Sequence, residues 1–398
     1  YAIDDCPWRD HTVDKVYAAA PRSRDAAPGP PGRFYSSKPP LLSTCVAGLL
    51  YPFRVLTGRP LDRPGAGPPA AAPYARIAVV LLNVAPYLLF LSLYARHLDR
   101  HAASDWSWGV GLVAAAWGTQ LPAFNEALNV HTVTAYSAFF ALYAAVRIWS
   151  ERVESGRPFA AAGLAAGLCA CNELPAALFA ALLFGMLLTR APRPTLTFFA
   201  PAAAIPCVAF LATQQAALGT PLPVPAHVVL LGTDAYDFEG NYWSDRAESG
   251  RRMGLDGLAE PKWLYLANML VGHHGVLTLT PIFLFSFPAA IALSRGGHRL
   301  TAFARLTVVL TVAIVAFYAW ATNNYGGWTQ GMRWLFWLYP FWLILLPHGV
   351  EPARGDPLLR TLVLAALAVS VFTSGYALAQ PWSDPWPLDA VGGVDAWR

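Results

Sequence analysis

At 398 residues, 56% hydrophobic and only 13% charged, the chain is too apolar for a water-soluble domain, which carries about a quarter charged residues. Its mean hydropathy of +0.39 and its 15 Trp, 16 Tyr and 21 Phe fit a fold solvated by lipid, with Trp and Tyr at the lipid–water boundaries. The net charge of +4 is small for this length, and no nucleic-acid partner is expected.

From Tyr1 to Pro40 there is no apolar run and no signal peptide. The expectation is a truncated N-terminus that has lost an upstream span. A basic complement of 25 Arg against 3 Lys suggests a GC-rich bacterial genome. Of five cysteines, Cys6 and Cys45 share one segment, where a disulfide is open to them if it is extracytoplasmic.

A helix crosses the hydrocarbon core with about 20 mostly apolar residues. The expected fold class is an all-α polytopic membrane protein, with about ten spans near 74–95, 107–124, 131–149, 158–171, 174–189, 195–213, 270–293, 303–321, 333–348 and 358–379. The pair 158–171 and 174–189 is short and reads equally as re-entrant. The run 41–56, broken by Pro52 and Arg54, reads as an interfacial helix. The expected organisation is a first loop 1–73 containing that helix, a bundle 74–213, a loop 214–263, a second bundle 264–379 and a tail 380–398.

Arginine sets the orientation. One alternate set of short loops holds Arg96, Arg100, Arg147, Arg152, Arg157, Arg190, Arg193, Arg295, Arg299, Arg305, Arg354 and Arg360; the opposite set holds only Arg333, at a boundary. The Arg-rich set is therefore cytoplasmic, and loops 1–73, 214–263 and 380–398 lie outside. These cytoplasmic loops are too short for a nucleotide domain, and no P-loop, GxSxG or dinucleotide fingerprint is present.

Polar residues concentrate in the outward stretches. Lys38 precedes a helix opened by Pro39-Pro40, where an ammonium beside free N–H groups makes a phosphate seat. Snorkelling to headgroups is the alternative. Glu126, Asn129 and His131 stand together at an outer junction, costly unless they face a wet cavity or one another. A structural interhelical knot explains them equally well. Asn172 and Glu173 pose the same question more weakly. Tyr242, Arg246, Glu248 and Arg251 suit a sugar or phosphate pocket of aromatic faces and guanidinium forks; Glu248 with Arg252 also reads as a surface ion pair. His273 and His274 are adjacent and no HExxH occurs, so the expectation is a helix break at the outer interface and no metal site. Arg333, after Asn324-Tyr325-Gly326-Gly327, completes the outer ring.

Tyr35 to Leu41, an aromatic followed by Lys-Pro-Pro-Leu before a short helix and a multi-span bundle, resembles the GT-C membrane glycosyltransferases, in the protein mannosyltransferase and aminoarabinose transferase branch. The segments 128–131, 241–254, 260–263 and 324–327 are similar to uncharacterised planctomycete members. The resemblance implies a transferase at the periplasmic side of the bacterial inner membrane. It would move a sugar from a polyprenyl-phosphate carrier to a glycan, lipid or protein acceptor. Lys38 with Arg246 or Arg251 would seat the phosphate, and an acidic residue would serve as base or as contact to a divalent metal. The principal acid is expected upstream of Tyr1, with Glu126 as the second. The rival readings are a transporter or lipid-linked-sugar flippase, which needs repeated halves not seen here, and a non-catalytic assembly protein.

Overall fold

A computed structural model describes residues 1–6, 9, 12, 14–18, 32–58, 72–153, 155–224, 226–227, 260–322 and 324–392. Helix dominates them. The chain forms two compact units, one of residues 1–78 with 205–252, the other of 79–204 with 253–398.

The first unit adds a hairpin to the all-α expectation. β1 (Lys15–Ala18) pairs antiparallel with β2 (Arg33–Ser36), with Val16 opposite Tyr35 and Tyr17 opposite Phe34. Branched and aromatic side chains suit a pleated, half-buried surface, and the Tyr17 and Phe34 rings meet edge-on at 5.1 Å. After Pro40 comes α1 (Leu41–Thr57), ended by Gly58 in the left-handed region at φ 63, where a residue lacking Cβ is favoured. Leu50 packs on Tyr74 and Ala78, while Tyr51, Val55 and Leu56 stay exposed. α1 is thus a short apolar helix with one face left exposed. Cys6 and Cys45 are both free, so the disulfide is not formed.

Among the described residues, four helices are long and apolar enough to cross a membrane: α2 (Pro73–His101), α7 (Pro192–Leu218), α10 (Thr301–Ala321) and α12 (Pro357–Ala379). Four candidates replace the expected ten. The run 107–124 divides into α3 (Asp105–Trp117) and a separate turn Leu121–Phe124. The runs 158–171 and 174–189 become α5 (Gly156–Asn172) and α6 (Ala177–Arg190), separated by Glu173-Leu174-Pro175. The run 270–293 breaks over Val271–Gly275, between α8 (Lys262–Leu270) and the stretch leading to α9 (Ser286–Ser294). The run 333–348 opens as a tight 3₁₀ turn, Arg333–Leu338, before α11 (Tyr339–Val350). At 1.5 Å per residue these pieces fall short of a core about 30 Å thick. Only α4 (Val130–Glu151) among the rest is long enough, and it buries His131, Thr132, Thr134 and Ser137, which lower its hydropathy.

The packing separates the two kinds of helix. The long apolar ones expose Leu88, Ile205, Val312 and Leu358, as lipid contact requires, whereas Phe341 to Leu346 of α11 are buried. In α11, a Cβ built on Gly349 would lie 1.9 Å from the Phe285 carbonyl oxygen. Small residues permit such backbone approach between apolar helices.

Candidate functional site

Within the second unit, loops from alternate helix ends come together. At one end the arginines gather: Arg100 pairs with Glu151 at 3.0 Å, Arg147 with the same carboxylate at 3.1 Å, and Arg305 donates to Ser294 O at 2.8 Å. At the other, Phe124 meets Phe336 at 4.9 Å and Trp382 at 5.2 Å, and Gln330 donates to Ser383 Oγ at 2.6 Å. Helix α4 runs between the ends, from His131 to Glu151.

At the arginine-poor end His131 is paired with Glu173, and both are buried. Each half is placed by a helix end. Asn129 caps α4, its Oδ1 accepting from Thr132 N at 2.9 Å and its Nδ2 donating to Phe124 O at 2.9 Å, which sets His131 on the first turn. Glu173 stands just past α5, where Pro175 keeps the helix from continuing. A buried carboxylate is tolerated when a partner stabilises it, and His131 is that partner. Tyr318 of α10 is buried within electrostatic reach of both Glu173 and Tyr265 of α8.

From Tyr265 the polar set continues. Tyr265 and Tyr325 have ring centroids 4.8 Å apart; Tyr265 donates to Asn324 O at 2.7 Å, and Tyr325 donates to Glu260. His273 and His274 stand 4.9 and 5.0 Å from the Tyr325 ring. Both sit in the expected helix break, where Gly272 comes against Asn268 so closely that a Cβ would lie 2.2 Å from its Oδ1. Burial, and then the hydrogen bond to Glu260, push the Tyr325 phenol up, keeping it a donor. Burial holds His273 down at about 4, and burial with His273 beside it holds His274 well below the ordinary value. Both imidazoles are neutral at pH 7, and their Nδ1 atoms hydrogen-bond each other.

This gives a pH dependence. Between the ordinary value of 6.5 and about 4 the unfolded chain binds a proton at residue 273 that the folded chain does not. Stability therefore falls as pH drops through that window. The detergent-solubilised protein should melt at lower temperature at pH 5 than at pH 7.5, and His273→Gln should flatten the slope. A midpoint rising on acidification would contradict the burial argument.

The remaining expected residues separate. Glu126 is exposed on the turn before α4 rather than sharing a helical face with Asn129. Asn129 is a cap, and Asn125, which accepts from Tyr136 at 2.6 Å, belongs with Asn83 to the structural knot. Arg333 joins the arginine-poor end, its guanidinium 4.9 Å over Trp382. Lys38 lies in the first unit, paired with Asp14 at 3.2 Å, with both side chains partly exposed. Tyr242, Arg246, Glu248 and Arg251 lie outside the described residues. Among the described residues no group of three His, Cys, Asp or Glu is arranged to hold a metal ion. Sequence reading undervalued Glu173 and missed Tyr265 and Tyr318: no local pattern announces a partner 42 residues away. The one available signal was an acid at the end of an apolar run.

No family model, curated protein or solved structure matches this chain.

Proposed function

We propose that this chain is a membrane glycosyltransferase that moves a sugar from a polyprenyl-phosphate carrier to an acceptor hydroxyl at the periplasmic face of a bacterial inner membrane. The observation that carries the reading is the buried Glu173–His131 pair at the arginine-poor end of an apolar helical bundle. An acid buried at the ends of apolar helices and held by a named partner marks a functional position. The likeness of Tyr35–Leu41 to the GT-C enzymes supplies the reaction class.

In this mechanism Glu173 replaces Glu126 as general base. Its carboxylate takes the acceptor's hydroxyl proton as the oxygen attacks the anomeric carbon; the bond from that carbon to the phosphate oxygen breaks, and polyprenyl phosphate leaves. Attack from the opposite face inverts the anomeric centre. His131 orients the carboxylate. Arg333 offers charge-assisted hydrogen bonds to the departing phosphate. The exposed apolar faces of the long helices suit the isoprenoid tail.

Two measurements test this reading. The full chain in liposomes should release polyprenyl phosphate from a radiolabelled polyprenyl-phosphate sugar and pass the label to an acceptor; no transfer from a panel of such donors would sink it. For sidedness, Glu126→Cys should react with an impermeant maleimide in intact spheroplasts and Arg299→Cys should not. The reverse pattern would put the pair on the wrong face.

A further inference from the structure

The arginine-rich end of the second unit also gathers His97, His101, His298 and His348. His97 and His101 lie one turn apart on α2 with ring centroids at 4.4 Å, and His298 meets His348 of α11 edge-on at 4.9 Å. His101 and His348 are each within electrostatic reach of His298 and of Arg299. His298 itself stands in the short connection between α9 and α10, where Arg295, Gly296, Gly297 and Arg299 are exposed.

Hydrogen bonds from His298 close the turn into α10. Its Nδ1 accepts from Leu300 N at 3.1 Å, its N donates to Thr301 Oγ1 at 3.2 Å, and its O accepts from Thr301 N at 3.0 Å. The first bond fixes the tautomer. A ring nitrogen that accepts carries no hydrogen, so neutral His298 keeps its proton on Nε2. A second proton has only Nδ1 to go to, where it turns the acceptor into a donor and sets N–H against N–H. Leu300 is fully buried, so its N–H finds no water in exchange, and an unsatisfied buried donor is costly. The added charge would also stand at a helix N-terminus, the positive end of the helix dipole.

The surroundings oppose that charge as well. Arg299 is next in the chain, His101 comes from α2 and His348 from α11, with His97 and Arg100 of α2 behind them. Arg305 of α10 is turned onto Ser294 O. Among the described residues, Glu351 is the carboxylate that reaches this group, and it acts on His348. Burial, and then Arg299, hold His298 below its ordinary value of 6.5. The turn is therefore secure above that value and weakens as the pH falls below it.

We propose that His298 is a proton-operated latch, which holds the 295–300 connection and the first turn of α10 in place when neutral and releases them when protonated. A proton suits so closely packed a place, because it is a ligand that needs no cavity. The latch is independent of the glycosyltransferase reading.

The test is amide hydrogen exchange, read by mass spectrometry on the detergent-solubilised full chain at pH 7.5 and 5.0, with rates corrected for the intrinsic pH dependence of exchange. A proton taken up only in the released state, at the ordinary 6.5, raises the released population by up to about thirtyfold between these pH values. Residues 298–304 should lose protection by about fivefold or more at pH 5.0, while 308–318 of the same helix keep theirs. His298→Asn offers an amide oxygen to Leu300 N and does not titrate, so its 298–304 segment should be as protected at pH 5.0 as at 7.5. His298→Ala removes the acceptor and should exchange fast at both. If His298→Asn does not fold, His298→Asp decides on the same criterion, since its carboxylate accepts the same hydrogen bond and stays ionised at pH 5.0. Unchanged protection in wild type, loss spread evenly along α10, or a pH-dependent loss in His298→Asn equal to that of wild type overturns the latch.

Discussion

Glu173→Gln should abolish measurable sugar transfer while leaving the protein folded. Glutamine keeps the carboxylate's shape and one hydrogen bond to His131, but it cannot take a proton from the acceptor. Removing a positioned general base costs typically two to four orders of magnitude in rate. Because the side chain is buried, replacing its charge by a neutral amide relieves desolvation, so the thermal midpoint should not fall far. His131→Gln should reduce transfer less, as the base stays in place without its orienting partner. The discriminating measurement is the single-turnover rate from a polyprenyl-phosphate sugar at matched protein abundance. A Glu173→Gln variant transferring at the wild-type rate would show the pair to be a structural knot, and Glu126→Gln would then be the variant to assay.

Gly349→Ala is expected to have the largest effect on folding. The new methyl would fall 1.9 Å from the Phe285 carbonyl oxygen and 2.7 Å from its carbon, and backbone cannot swing aside as a side chain can. α11 must move away from the Phe285 segment, opening the layer that holds Phe283, Tyr339 and Trp342 in ring contact. Overpacking of this kind costs about 1–3 kcal/mol, enough to lower the yield of monodisperse protein after detergent extraction. Gly355→Ala is the control, because a Cβ there meets nothing within 4 Å. Equal extraction yields and melting temperatures for the two variants would mean that α11 is not packed as described.

Composition alone determined the solvent. A chain with 13% charge and a mean hydropathy of +0.39 has too little polar surface for water, and helix is the one local structure that satisfies its own backbone in lipid. Local rules also placed α1 after Pro39-Pro40 and the break around Gly272. The arginine asymmetry separated the loop sets that the fold gathers at opposite ends of the second unit. Span number was not readable in the same way. An apolar run long enough to cross looks the same whether it stays one helix, as at 301–321, or breaks, as at 333–348, where a 3₁₀ turn precedes a 12-residue helix buried by its neighbours. Hydropathy reports affinity for an apolar medium and does not distinguish lipid from protein interior. The site followed the same division. Asn129 and His131 were legible as polar residues out of place, but Asn129 spends its side chain on a helix cap and His131 on a carboxylate from another helix. Glu126 and Glu173 are equivalent in sequence terms, each an acid beside an asparagine at the end of an apolar run. Only packing exposes one and buries the other against a histidine, because burial depends on what the neighbouring helices bring to that place.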